Sequence, residues 1–249
     1  MVTDTHAASP IGLPGPDVRG GFVSVEGIDA SGKSTVARLL AERIAETGRP
    51  TLLLDRNTAT ASLDGYPADH LTALRSLIWD YPPDAVTSAL GFGHWSHLIG
   101  AWFHAVDHTV VRPALGKGLC VITDSWLAKF AARFALSVGP VDAMATFDGV
   151  TRPDVVVWLD VPPEQCVARR TDLRSTERGE WQGLGSGDRA FIEYQGLVRE
   201  VYRGFAAAES WLRVGPAEPA EVADRVLTRI TAEMAAASTP AEPTSEAAL

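Results

Sequence analysis

Residues 21–40 read GFVSVEGIDASGKSTVARLL, and no other stretch constrains the fold as strongly. An apolar run at 22–26 gives way to glycine and acidic residues, then to a segment whose apolar positions recur at helical spacing. Gly27, four residues, then Gly32, Lys33 and Ser34 reproduce a phosphate-binding loop set between a strand and a helix, the context its physics requires. Glycines let the backbone turn tightly so that successive N–H groups converge on a phosphate, and the helix N-terminus adds the positive end of its dipole. Lys33 is placed to reach the β and γ phosphates, and the Ser34 hydroxyl to ligate Mg²⁺. The competing reading is a glycine-rich turn with an incidental Lys-Ser. Only Lys33, Lys117 and Lys129 among the 22 basic residues are lysines, so a lysine at this position is not background.

Four further β-branched or apolar runs follow, at 51–55, 119–123, 155–160 and, more weakly, 211–214. VVVWLD and LCVIT are apolar throughout, as strands covered on both faces of a parallel sheet are. Helical patterns alternate with them at 33–46, 68–79, 88–115, 127–137, 163–170, 189–209 and 219–235. That order predicts a doubly wound α/β domain. LCVITD ends a strand in Asp124, where a carboxylate can orient a metal-bound water or an incoming hydroxyl. Capping the helix that follows is the alternative role for Asp124. Neither Lys117, followed by GLC, nor Lys129, followed by FAA, belongs to a guanine-reading Asn/Thr-Lys-x-Asp motif, which disfavours a GTPase switch.

With 249 residues, 46% of them hydrophobic and 21% charged, the chain has ordinary globular composition and one substantial core. Its net charge of −9 offers no long-range attraction to nucleic acid, so phosphate must be held by local geometry. The two cysteines, Cys120 and Cys166, sit inside apolar or helical runs and read as reduced, buried thiols of a cytoplasmic protein. No run of about 18 apolar residues exists, so no membrane span is expected. Residues 1–20 read as a flexible arm, 21–236 as a single domain, and 237–249 as a disordered tail too poor in apolar residues to offset its ordering entropy.

From about residue 22 to 234 the chain resembles the thymidylate kinases, within the P-loop nucleoside monophosphate kinases. FVSVEGIDASGKST, LLLDR, LTALRSLIWD, VVRPALGKGLCVITD, TRPDVVVWLDVPPEQCVARR and GDRAFIEYQGLVREVYRGFA carry the likeness, in the family's order. The resemblance implies a P-loop kinase fold: a five-stranded parallel sheet flanked by helices, a lid at about 170–189 closing over ATP, and a homodimer through the long helices. Gly27, Ile28, Asp29, Ala30, Ser31, Gly32, Lys33, Ser34 and Thr35 then cradle ATP, and Ser34 with Asp124 holds Mg²⁺. Lys33, Asp124 and the lid-side Arg169 and Arg170 act on the transferring group, with Arg174 and Arg178 farther along the lid. Asp29 is expected to face the acceptor's sugar hydroxyl, Arg56 its phosphate, and Arg75 the base side of its pocket, though Arg75 could instead pair with Asp80.

The acceptor side departs from the family. Its Asp-Arg-Tyr or Asp-Arg-His reads Asp124, Ser125, Trp126; its Ala-Asp-Arg falls on Ala101, Trp102, Phe103; and Ala-Tyr-Gln becomes Ala132, Arg133, Phe134. Two phosphate-side arginines are thus missing. Lys129 and Arg133, four apart on one helix face, are candidates to return positive charge to the pocket, with Phe103 on its wall. The expected reaction is phosphoryl transfer from ATP to a nucleotide-like small molecule, with dTMP to dTDP leading. The alternatives are another nucleotide, a nucleoside or an unphosphorylated metabolite as acceptor, or an ATP-binding regulatory protein without turnover.

Overall fold

The computed structural model describes residues 20–82, 85–169 and 174–237. Strands β1 (Phe22–Glu26), β2 (Thr51–Leu54), β3 (Cys120–Asp124), β4 (Val155–Leu159) and β5 (Leu212–Val214) form one parallel sheet in the order β2-β3-β1-β4-β5. This is the expected five-stranded α/β architecture, each strand within a residue or two of its expected bounds. β1 is central and wholly buried, which is why it carries an unbroken apolar frame around Ser24. The register sets Val25 opposite Asp124 and Glu26 opposite Trp158, so the C-terminal ends of β1, β3 and β4 meet at one edge. Ligands of open α/β sheets bind at that edge.

Helix α1 (Lys33–Glu46) buries Val36, Ala37, Leu40, Ala41 and Ile44, the 3.6-residue stripe that the sequence shows, against the sheet and α9 (Pro219–Ala237). On the other strands' connections lie α2 (Gly65–Trp79), α3 (Gly91–Val106), α4 (Arg112–Gly116), α5 (Leu127–Val138), α6 (Pro140–Ala145), α7 (Pro163–Val167) and α8 (Gly187–Glu209).

The single helix expected over 88–115 is instead a 3₁₀ turn (Thr87–Leu90), α3, a π turn (Asp107–Val111) and α4. Pro113 has no N–H to donate and its ring crowds the carbonyl four residues back, so the turn before it widens. The buried Asp107 carboxylate takes Arg112 Nε at 2.8 Å across that turn. Helix α6 was not expected; Gly139, at φ 84°, ends α5, and Pro140 starts α6 at the position where a missing N–H costs nothing. Expectations for 1–19 and 238–249 concern residues outside those described. The described lid residues form two short 3₁₀ turns, Ser175–Glu177 and Glu180–Gln182, before α8 begins two residues earlier than expected.

Candidate active site

The loop of residues 27–32 runs from the end of β1 to the start of α1. Gly27 has φ 147°, and a Cβ there would lie 2.8 Å from the Leu159 carbonyl oxygen, so only glycine fits between β1 and β4. Gly32, at φ 100°, occupies the N-cap of α1, and no side chain caps that helix end. Its N–H groups are therefore open to an anion. Ala30 (φ 61°) and Ser125 (φ 69°) adopt the left-handed conformation that residues with a Cβ rarely take, and both line the same cavity.

Lys33 is buried and donates from Nζ to the Ile28 carbonyl at 2.6 Å. Burial, then the Lys129 ammonium, push the Lys33 ammonium below the usual lysine value, against the pull of Asp29, Asp124 and Glu26. The Ser34 hydroxyl donates directly to the Asp124 carboxylate. Two hard oxygen ligands, one from α1 and one from the end of β3, are thereby brought together, a donor set that fits Mg²⁺. The capping alternative for Asp124 fails, because the N-cap of α5 is Trp126 and no side chain caps it. Arg169 reaches the loop from the end of α7 and donates to the carbonyls of Ala30 (3.4 Å) and Ser31 (3.3 Å). Arg170 lies outside the described residues.

Ser34, Thr35, Asp124, Arg169 and the loop line a cavity of about 680 Å³ that also reaches Arg56 and Phe103. A second cavity, of about 260 Å³, adjoins it and is walled by Trp95, Phe134, Tyr194, Arg133 and the lid residue Trp181. Arg56, Trp79, Lys129, Phe130 and Glu177 line both, so the two spaces share a wall. The Arg56 guanidinium lies over the Trp79 ring, 5.9 Å from its centroid.

Asp29 lines the larger cavity and is already engaged by cations. Its buried carboxylate takes Lys129 Nζ at 3.0 Å on one oxygen, and Arg133 with Gln195 Nε2 (2.9 Å) on the other. Burial alone would push this carboxyl up; Arg133, Lys129 and Lys33 outweigh it and hold Asp29 well below the usual carboxylate range. Lys129 and Arg133 share one face of α5, as their spacing predicts, and the loop aspartate is the partner of both. Phe103 is buried edge-on against Trp126 (4.9 Å) and Phe130 (5.5 Å), an aromatic wall where the resemblance put an arginine. Arg75 takes the alternative its sequence offered: both Asp80 oxygens accept from its Nη1 at 2.9 Å, and it lines neither cavity.

Three contributors went unread in the sequence. Glu26, beneath the loop, accepts from Ser24 Oγ (2.7 Å), the Trp126 backbone N–H (2.7 Å) and Tyr202 (3.3 Å), which pins the turn after β3 to β1. Gln195 on α8 joins Asp29 to the lid by donating to the Glu177 carbonyl as well, at 2.9 Å. Trp79 closes α2 with no local signal beyond its size.

No family model matches the chain. It is similar to the thymidylate kinase of Rhodopseudomonas palustris (strain ATCC BAA-98 / CGA009), 29% identical over 219 residues that cover 84% of this chain and 87% of that one. It is also similar to the thymidylate kinases of Burkholderia mallei (strain NCTC 10229) and Burkholderia pseudomallei (strain 668), each 28% identical over 202 residues, 77% of this chain and 90% of theirs. Each of these similarities spans most of both chains.

Proposed function

We propose that this chain transfers the γ-phosphoryl group of ATP to a nucleoside monophosphate, dTMP being the leading acceptor and dTDP the product. The observation that carries the reading is the shared wall: Arg56 and Lys129 stand between the phosphate loop and an aromatic chamber, where an acceptor's phosphate would meet the donor's. Mg²⁺ and ATP, when bound, supply the transferable phosphoryl group and neutralise its charge. Open N–H groups at the start of α1 and the Lys33 ammonium are positioned for phosphate oxygens, and Ser34 and Asp124 offer the metal its ligands. Arg56 and Lys129 are the cations that would orient an acceptor phosphate, while the chamber beyond takes its ring. Cover from the lid excludes water, which favours transfer over hydrolysis.

A second reading has its own support. Asp29 engages both Lys129 and Arg133, which leaves Arg56 to hold a phosphate with less help, as an unphosphorylated acceptor such as thymidine would need. Product identification by ³¹P NMR separates the two. With ATP and Mg²⁺, the leading reading expects dTMP to give the paired signals of dTDP; conversion of thymidine to dTMP with no reaction of dTMP would contradict it. A cytoplasmic location, in keeping with two buried unpaired cysteines, and a homodimer through the long helices belong to the same proposal. Among the described residues no helix is long and apolar enough to cross a membrane.

A further inference from the structure

The resemblance gives the lid to ATP, yet its described residues turn the other way. Arg174 donates from Nη1 to the carbonyl of Trp79, the last residue of α2, at 2.8 Å, and its guanidinium lies 5.7 Å from the ring centroid of Tyr81 just beyond it. Glu180 takes Thr87 Oγ1 (3.1 Å), the Ser88 backbone N–H (3.3 Å), Ser88 Oγ (3.2 Å) and Ser175 Oγ (3.0 Å), so its carboxylate fastens the lid to the 3₁₀ turn ahead of α3. Trp181 Nε1 donates to Thr87 Oγ1 at 2.9 Å, and its ring sits 6.3 Å from that of Trp95. From this segment Arg174, Thr176, Glu177, Trp181 and Gln182 line the aromatic chamber, whereas Glu177 alone of them lines the phosphate-loop cavity.

We propose that residues 174–182 roof the acceptor chamber and that Trp181 is a specificity-determining residue, selecting acceptors that carry a flat heteroaromatic ring. The inference rests on the nucleotide-acceptor reading above. Trp181 suits the role because its one polar atom is already satisfied by Thr87, so the indole meets the chamber it lines with ring surface alone. Phe130 lines both cavities and Phe103 packs edge-on against it from the phosphate-loop side, so the pair offers shape and π-surface rather than hydrogen bonds. A ring held between such surfaces gains on the order of tenfold to a hundredfold in affinity from one stacking partner. The Glu180 latch then makes roof and chamber one body, and Gln195 ties that body to Asp29 of the phosphate loop.

Calorimetric titration of the full chain with dTMP, and separately with ATP and Mg²⁺, tests this on the wild type and on Trp181→Ala, Trp181→Leu and Trp181→Phe. Trp181→Ala is expected to raise the Kd for dTMP about tenfold to a hundredfold while the Kd for ATP stays within about twofold, with Phe restoring most of the loss and Leu little of it. Equal weakening of both ligands, or an unchanged dTMP affinity, would overturn the roof. Restoration by Leu as complete as by Phe would overturn ring stacking. A wild type that binds ATP but not dTMP would overturn the acceptor reading itself and this inference with it, a result distinct from any of the variant outcomes.

Discussion

The two cavities that meet at Arg56 and Lys129 are built from different parts of the chain. On the phosphate side the work falls to main chain: Gly27 and Gly32, the left-handed Ala30 and Ser125, and the uncapped start of α1 create the surface, with Lys33, Ser34 and Asp124 added to it. The acceptor side is made by side chains that α2, α3, α5, α8 and the lid bring together from distant positions. A surface made of backbone fails as a whole when one conformation is lost. One made of side chains can be exchanged piece by piece while the fold survives, which is how Phe103 and Arg133 come to stand where the family keeps other residues.

The same contrast is repeated in two carboxylates. Glu26 and Asp29, three positions apart, are both buried, yet Glu26 meets neutral hydroxyl and amide donors and Asp29 meets cations. Burial pushes the Glu26 carboxyl above its usual range, against the hydrogen bonds from Ser24 and Trp126, while Asp29 is held far below its own.

The largest effect is expected on the phosphate side. Lys33→Ala should lower kcat by on the order of 10² or more for every acceptor, because a charge-assisted contact to the moving phosphoryl group is strongest in the transition state. Melting temperature serves as the control for folding. Near-normal ATP turnover in this variant would break the comparison, since the loop would then be scaffold rather than machinery.

A smaller effect separates the two carboxylates through pH. Because the folded Glu26 pKa lies above its unfolded value, the unfolded chain binds fewer protons in that window, and stability should decline as pH rises through the folded pKa. For Asp29, depressed in the fold, stability is present at neutral pH and is lost as pH falls below the unfolded value toward the folded one. Glu26→Gln keeps an acceptor for Ser24 and Trp126 and removes the titration. Thermal melts taken upward in pH from the ordinary glutamate range should therefore show a fall in the wild type, about 2–4 °C for each kcal/mol, that the variant lacks. Identical slopes would show that Glu26 does not titrate in this range.

What the sequence disclosed follows the same division. Gly27, Gly32, Lys33 and Ser34 fall in one short stretch, and Asp124 ends an apolar run, so local spacing was enough to place them. Lys129 and Arg133 were legible as a pair on one helix face, but their partner Asp29 lies a hundred positions away and only folding reveals it. Arg75 was ambiguous for the opposite reason: Asp80 is near enough in sequence to claim it, and does. Glu180 and Gln195 gave no signal at all. Each is an ordinary polar residue in a polar stretch until the 3₁₀ turn at Thr87–Leu90 and the loop aspartate are brought alongside.

The central claim is that a phosphate-bearing acceptor sits at the wall between the cavities, held there by Arg56. Its most direct test is kcat/KM for dTMP and for thymidine, side by side with saturating ATP, in the wild type and in Arg56→Ala. The wild type is expected to prefer dTMP, and the variant to lose about 10- to 100-fold toward dTMP alone, the value of a hydrogen bond to a charged group, while thymidine is unaffected. A wild type that prefers thymidine, or a variant that weakens both acceptors equally, would contradict it.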